Sequence, residues 1–298
     1  MKLQGIFAPL TTPFGADGSV DHSRIRGNIA LYNKTGLAGY ASNGSTGESV
    51  LLLWEEVYKI WETVKASAAP EKILIAGTGA ESTAETIVHT NRAASLGFAA
   101  ALVRTPSFYK PAVNDELLAA HYLRVADAAR IPVLLYAVPI FTHIKIEASL
   151  VARVASHPNI VGMKDSSGDV DGVRRNVEAA PERFQTLVGW PTILFESLEV
   201  GATGAILALA DAFPDLCVEI FEAARAGERE KAQQLAQKLI APAKMFGQQY
   251  GISGLKYALD RQGYYGGPAR PPLLPLNDAA KQEIDAMLAN LAHEPAHL

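Results

Sequence analysis

Eight short apolar segments, each followed by an amphipathic stretch, constrain the fold of this chain more than any other feature. The predicted strands span residues 5–12, 37–43, 72–77, 99–105, 132–136, 160–164, 184–189 and 204–207. Nearly continuous apolar strands that alternate with amphipathic helices are typical of a parallel sheet covered by helices on its outer face. Eight such units predict an α/β fold, specifically a closed (β/α)8 TIM barrel.

The segments between the strands have the period of helices. The predicted helices span residues 22–34, 54–68, 83–96, 115–130, 147–156, 170–180, 192–200 and 214–226. Asp21 and Ser82 have side chains suited to cap two of them. An open Rossmann-type sheet is the alternative, but Gly77–Glu81 lacks the third glycine of the dinucleotide-binding fingerprint. The pattern therefore favours the closed barrel.

The residues after the eighth unit predict a C-terminal helical extension. Helices are expected over 228–248, 253–260 and 278–291, with a loop rich in glycine and proline between the last two. No low-complexity linker precedes this region, so we expect it to pack on the barrel. The predicted domains are a catalytic barrel over 1–226 and a packed helical region over 227–298.

Charge and composition exclude several classes of function. The net charge is −4, so no basic field would attract nucleic acid or a membrane surface. A single cysteine, Cys217, rules out an intramolecular disulfide and suits a reducing compartment. The chain starts without a signal-peptide pattern and has no apolar run of about 18 residues. We therefore expect a soluble cytoplasmic protein.

Lys164 is the first candidate catalytic residue, because active sites of such barrels lie at the carboxyl ends of the strands. It ends the sixth predicted strand within the stretch Asn159–Asp169. A lysine at the end of a buried strand is costly unless it is exposed, paired or partly neutral, and desolvation makes the amine more nucleophilic. The alternative is a lysine whose stem covers the strand end while its ammonium group reaches water.

Two other strand ends carry polar groups. The turn Gly44–Glu48 offers two hydroxyls and several N–H groups that can hold a carboxylate, although an ordinary capped turn has the same composition. Tyr136 ends the fifth strand and is either an acid–base group or a half-buried packing residue. Adjacent parallel strands lie about 4.8 Å apart, so Tyr136 and Lys164 should be neighbours. An amine and a phenol beside such a turn predict a carbonyl-handling site.

Three motifs resemble signatures of the dihydrodipicolinate synthase / N-acetylneuraminate lyase superfamily of pyruvate-dependent class I aldolases. They are G-S-T-G-E at 44–48, L-Y-A-V-P at 135–139 and V-G-M-K-D-S-S-G at 161–168. The resemblance covers essentially the whole chain. Within the superfamily, the stretches most similar to 4-hydroxy-2-oxoglutarate aldolase are 157–169, 76–83, 250–256 and 263–273.

The resemblance implies specific roles. Lys164 would form an imine with a 2-oxo acid, Tyr136 would relay protons, and Ser45 would extend the hydroxyl relay. The implied substrate-binding residues are Thr46, Gly47 and Ile206. No metal or cofactor is expected, because the protonated imine is itself the electron sink.

The chain departs from the superfamily pattern on the side of the site that receives the aldehyde. Phe141 stands where dihydrodipicolinate synthases carry an arginine for the distal carboxylate, and an apolar ring offers no donors to that group. Trp190 at the end of strand seven makes this side still less polar. His143 either replaces the carboxylate contact or is simply a solvated loop residue.

A second departure affects the proton relay. Phe108 occupies the position of a tyrosine that a neighbouring subunit normally supplies. Either Tyr109 substitutes after a one-residue shift, or Ser45 relays protons to water. The aromatic pair 108–109 also suits a subunit interface, and the resemblance implies a homotetramer built as a dimer of dimers.

The leading hypothesis is a Schiff-base lyase that acts on a 4-hydroxy-2-oxo acid and produces or consumes pyruvate and an aldehyde. The alternative within enzymes is dihydrodipicolinate synthase itself. The alternative from another class is a non-catalytic barrel that binds a 2-oxo acid.

Overall fold

The computed structural model describes residues 2–293 and contains a closed eight-stranded parallel barrel with strands in chain order. The strands are β1 (Gly5–Ala8), β2 (Gly39–Ser42), β3 (Ile73–Gly77), β4 (Ala100–Arg104), β5 (Val133–Ala137), β6 (Ile160–Asp165), β7 (Gln185–Val188) and β8 (Gly204–Ile206). β1 pairs with both β2 and β8, which closes the sheet. The predicted (β/α)8 barrel is confirmed.

Helices cover the outside of the barrel and continue beyond it. They are α1 (His22–Tyr32), α2 (Trp54–Ser67), α3 (Thr83–Ser95), α4 (Asp115–Ala128), α5 (Pro139–Thr142), α6 (Ala148–Val154), α7 (Val170–Ala179), α8 (Leu194–Glu199), α9 (Leu209–Ala212), α10 (Pro214–Arg225), α11 (Arg229–Gln237), α12 (Ile240–Lys244), α13 (Gly251–Arg261) and α14 (Asp278–His293). Shorter 3-10 turns lie at Ser45–Gly47, Ser49–Leu51, Lys110–Ala112 and Pro191–Ile193, and a π-helical turn lies at Met245–Gln249. No helix within 2–293 is long and apolar enough to cross a bilayer.

Several predicted boundaries are wrong for identifiable reasons. β1 ends at Ala8 and not at residue 12, because Pro9 has no N–H to donate to a neighbouring strand. The single helix predicted over 228–248 is divided, because the ring of Pro242 crowds the carbonyl four residues earlier, where α11 gives way to α12. Sequence reasoning missed the four-residue helices α5 and α9. Residue 1 of the predicted barrel domain and residues 294–298 of the predicted C-terminal region lie outside the described residues.

The core consists of two apolar layers separated by the sheet. The inner layer fills the barrel and includes Phe7, Leu102, Leu134, Tyr136 and Ile206. The outer layer lies between the strands and the helices. Because side chains alternate along a strand, members of the inner layer show which neighbouring residues also point into the barrel.

Candidate active site

Lys164 and Tyr136 are in direct contact at the carboxyl end of the barrel. The register of β5 and β6 pairs these two residues. Lys164 Nζ donates a 3.4 Å hydrogen bond to the Tyr136 hydroxyl and lies 4.5 Å from the centre of its ring. The strands extend one residue beyond the predicted ends, to Ala137 and Asp165, and both site side chains are buried. The amine and the phenol can therefore share one ligand.

Ser45 extends this contact to a third polar group. Its hydroxyl lies 3.2 Å from the Tyr136 hydroxyl, so Ser45, Tyr136 and Lys164 form a continuous series of hydrogen-bonding atoms. Ser45 begins the 3-10 turn that follows β2, and Thr46 in this turn is buried. The first N–H groups of a helical turn have no partner within it, and clustered N–H groups attract an anion. A turn of this kind can therefore hold a carboxylate.

A buried ion pair fixes the far end of this turn. Glu48 adopts a left-handed backbone with φ of 57°. Its carboxylate accepts hydrogen bonds from Lys256 Nζ at 2.6 Å and from the Arg270 backbone N–H at 2.7 Å. Burial lowers the pKa of Lys256, and the charge of Glu48 acts in the opposite direction. Sequence reasoning placed Glu48 in a motif but missed this pair; a lysine on the apolar face of α13 was the available signal.

Gly189 leaves the space that the Lys164 side chain occupies. It directly follows β7, and its N–H donates to the carbonyl of Asp165 at 2.7 Å. A Cβ atom at this position would lie 2.8 Å from Lys164 Cε and would overlap Ser166 Oγ. A larger residue here would therefore have to displace the side chains of Lys164 and Ser166.

The remaining predicted substrate-binding residues differ in how deeply they are buried. Ile206 is fully buried in the inner layer, whereas Trp190 is half-buried beside Gly168. Phe141 is 65% exposed on α5, and His143 follows it in a left-handed conformation. Neither side chain has a hydrogen bond, an ion pair or a ring contact with any described residue. The structure thus does not bring these two residues into contact with Lys164, Tyr136 and Ser45.

The predicted interface residues Phe108 and Tyr109 are the most exposed aromatic side chains of this end of the barrel. Each is 77% exposed, and their rings contact each other edge to face at 5.2 Å. They lie in the loop after β4, as the sequence suggested. Two adjacent exposed rings are suited to contact another protein surface.

A cavity of about 280 Å³ opens beside the polar series. Ser45 and Tyr136 line it, together with Arg104 and Glu81, and Tyr136 connects it to Lys164. Sequence reasoning missed Arg104, although a charged residue closing an otherwise apolar strand was a usable signal. Within 2–293, no group of three or more His, Cys, Asp or Glu side chains is placed to hold a metal ion.

Comparisons with known proteins agree along nearly the whole chain. A model of the dihydrodipicolinate synthetase family matches residues 2–291. The 4-hydroxy-tetrahydrodipicolinate synthase of Methanothrix thermoacetophila is 34% identical over 291 residues, which make up 97% of each chain. The protein of the same name from Xanthomonas campestris is 35% identical over 290 residues, covering 97% of this chain and 95% of the relative.

Solved structures share the architecture. The chloride-inhibited dihydrodipicolinate synthase of Acinetobacter baumannii, crystallised in complex with pyruvate, matches with a TM-score of 0.93. The two sequences are 30% identical, and the match covers 98% of this chain and 99% of the other.

Proposed function

The chain belongs to the dihydrodipicolinate synthetase family of Schiff-base-forming lyases, and from this premise we propose that it cleaves a 4-hydroxy-2-oxo acid to pyruvate and an aldehyde. Members of this family are enzymes of the class I aldolase and lyase type. Membership therefore argues against the alternative of a non-catalytic barrel that only binds a 2-oxo acid. The observation that carries the proposal is the continuous contact of Lys164, Tyr136 and Ser45.

In the proposed reaction, the amine of Lys164 adds to the 2-oxo carbonyl, and loss of water gives an imine. Removal of the proton from the 4-hydroxyl group allows the C3–C4 bond to break. The electron pair of that bond moves toward the imine, which becomes an enamine, and the aldehyde leaves. A proton then returns to C3, and water releases pyruvate and the free amine.

We assign these proton transfers to Tyr136. Its hydroxyl contacts Lys164 Nζ on one side and Ser45 Oγ on the other. A phenol in this position can accept the proton of the 4-hydroxyl group and return it to carbon, while Ser45 passes protons toward the cavity. The turn with Thr46 and Gly47 would hold the carboxylate next to the imine.

The identity of the aldehyde distinguishes two candidate functions. The second candidate is 4-hydroxy-tetrahydrodipicolinate synthase, and the names of the relatives support this function. Phe141 supports the lyase, because an exposed apolar ring stands where dihydrodipicolinate synthases carry the arginine that binds the distal carboxylate of their aldehyde, so the contact typical of the second candidate is missing at this position. We rank the 4-hydroxy-2-oxo acid first on the basis of this side chain.

Borohydride reduction in the presence of pyruvate tests the imine. We expect a mass increase on the peptide that contains Lys164, and no increase in a Lys164→Ala variant. Failure of the wild-type protein to form this adduct would contradict the proposal.

A comparison of substrates tests the aldehyde. We expect release of pyruvate from 4-hydroxy-2-oxoglutarate to exceed, in kcat/KM, the consumption of pyruvate with aspartate semialdehyde. The opposite order would favour the second candidate. A Phe141→Arg variant provides a second test, because it should shift the preference toward the semialdehyde.

We also propose that the protein forms a homotetramer through surfaces that include Phe108 and Tyr109. Their exposure supports this, since paired exposed rings are costly in water. Light scattering of the wild-type protein should give the mass of four chains, and a Phe108→Ser/Tyr109→Ser variant should give a smaller particle.

A further inference from the structure

Arg104 points into the barrel at the same height as Tyr136. The register of β4 and β5 pairs the two residues directly. Leu102 belongs to the inner layer, and Arg104 follows it by two positions, so both side chains leave the strand on the inner face. Accordingly, Arg104 lines the same cavity as Ser45 and Tyr136.

Several N–H donors of the Arg104 guanidinium group have no partner among the described residues. Its side chain is 23% exposed, and Nη1 donates a 2.9 Å hydrogen bond to Glu81 Oε1. Among the residues that the structure describes, no other acceptor bonds to this guanidinium. A guanidinium carries five N–H donors in a rigid plane, so Nη2 and Nε remain able to bind a second carboxylate.

Glu81 orients Arg104, but its carboxylate is shared with two other donors, so it does not fully neutralise the guanidinium group. The Glu81 carboxylate also accepts hydrogen bonds from the backbone N–H groups of Ser107 at 2.7 Å and Phe108 at 2.9 Å. Burial alone would raise the pKa of Glu81, but these hydrogen bonds and the charge of Arg104 lower it overall. Glu81 is thus an ionised anchor for the loop after β4, and it holds Arg104 over the cavity.

We propose that Arg104 binds the second carboxylate of the substrate, so that the preferred 4-hydroxy-2-oxo acid is a dicarboxylic acid. The inference rests on the proposed imine at Lys164 and names the substrate class of that same site. Tyr136 contacts the amine and also lines the cavity, so a substrate attached to Lys164 extends past Tyr136 toward Arg104. The carboxylate contact that the apolar residue 141 cannot make is supplied from strand β4.

The test uses two 2-oxo acids that differ only at C5 and cannot be cleaved. 2-Oxoglutarate carries a carboxylate there, and 2-oxopentanoate carries a methyl group. For each, borohydride trapping on Lys164 is measured against ligand concentration in the wild-type protein, in Arg104→Met and in Arg92→Met. Arg92 is a matched control, because its ion pair with Glu62 lies on the exposed surface.

We expect the half-saturating concentration of 2-oxoglutarate to rise about 10- to 100-fold in Arg104→Met, the usual effect of losing a hydrogen bond to a charged group. The values for 2-oxopentanoate and pyruvate should stay within about two-fold. Arg92→Met should leave all three unchanged. For 4-hydroxy-2-oxoglutarate, Arg104→Met should raise KM more than it lowers kcat.

Equal effects of Arg104→Met on 2-oxoglutarate and 2-oxopentanoate would overturn the inference, because they would assign Arg104 only to the support of the β4 loop. If pyruvate is not trapped by the wild-type protein, the proposed function fails and the inference fails with it. If trapping depends on Arg104 as expected but 4-hydroxy-2-oxoglutarate is not cleaved, the assignment of Arg104 stands and only the proposed substrate is wrong.

Discussion

The ammonium group of Lys256 lies 2.6 Å from a carboxylate oxygen of Glu48, and the two side chains are 0% and 1% exposed. This pair connects helix α13, in the C-terminal region, to the turn that carries Ser45. Lys256 also donates to the carbonyl of Pro268 at 2.8 Å and lies 4.4 Å from the centre of the Phe14 ring. The C-terminal region therefore holds the turn of the candidate site in place.

Removing one charge of this pair should lower the free energy of unfolding much more than removing both charges. We expect Lys256→Met to lower the free energy of unfolding by about 3–5 kcal/mol, because it leaves a buried charge unpaired. The double variant Lys256→Met/Glu48→Gln should recover part of that loss, yet both variants should bind pyruvate more weakly. Urea unfolding and the concentration dependence of borohydride trapping measure the two effects.

The exposed pair Lys231–Glu228 provides the control, since Lys231→Met should leave the free energy of unfolding nearly unchanged. Equal losses in the single and double Lys256 variants would contradict an energetic coupling between the two charges. Wild-type pyruvate affinity in both would show that the turn does not need this anchor.

Removing only the Tyr136 hydroxyl should separate imine formation from proton transfer. Tyr136→Phe keeps the ring 4.5 Å from Lys164 Nζ but removes the oxygen that contacts both Lys164 and Ser45. We expect kcat for pyruvate release to fall about 100- to 10,000-fold, the range for loss of a general acid–base group. Trapping of pyruvate on Lys164 should survive, at a slower rate.

Tyr109→Phe tests a specific alternative in the same assay. This tyrosine is exposed in its own chain, and a comparable loss of kcat would identify it as the relay group supplied between subunits. If Tyr136→Phe retains wild-type kcat, the phenol of Tyr136 is only a packing residue.

The local sequence pattern predicted the barrel because the spacing of apolar residues within each unit indicates a strand followed by a helix. It also predicted the contact of Tyr136 with Lys164, since neighbouring strands of a parallel barrel end at the same height. The errors fall where one residue overrides the period: Pro9 ends β1, and Pro242 divides the helix predicted over 228–248.

Contacts between distant parts of the chain could not be predicted in this way. Glu48 and Lys256 are 208 residues apart, and no local pattern indicates that a lysine in α13 reaches the turn after β2. Arg104 was overlooked for a different reason. The apolar pattern of residues 99–105 predicts a strand but no role for its arginine, and the partner that orients Arg104, Glu81, lies 23 residues earlier in another loop.

Adding a methyl group at residue 189 should disturb the site directly. In Gly189→Ala, the new Cβ would lie 2.8 Å from Lys164 Cε. We expect a loss of about 1–3 kcal/mol in the free energy of unfolding, as for other overpacked sites, and weaker trapping of pyruvate. Gly27→Ala is the matched control, because nothing lies within 4 Å of its added Cβ in helix α1, and it should stabilise the protein by about 0.5–1 kcal/mol. Unchanged trapping in Gly189→Ala would show that Lys164 does not need this space.

The buried Asp211 should make the stability of the protein depend on pH. It lies fully buried in α9, and neither of its carboxyl oxygens has a hydrogen-bond partner in the described part of the chain. Burial raises the pKa of Asp211 well above its ordinary value of 3.8, although the charge of Lys164 acts in the opposite direction. The folded state therefore holds this proton to higher pH than the unfolded chain does, so the free energy of unfolding falls as pH rises above about 4.

Asp211→Asn should remove this dependence, because the amide has a similar shape and does not ionise. At pH 4 we expect the variant and the wild-type protein to be similar in stability. Above pH 4, the advantage of the variant should grow by about 1.4 kcal/mol for each pH unit until the carboxyl group ionises in the folded state. Urea unfolding at pH 4, 5.5 and 7 measures the slope, and Asp171→Asn, at a side chain 71% exposed, is the exposed control. A difference between Asp211→Asn and the wild-type protein that stays constant over this range would contradict the expected rise in the pKa of Asp211 on folding.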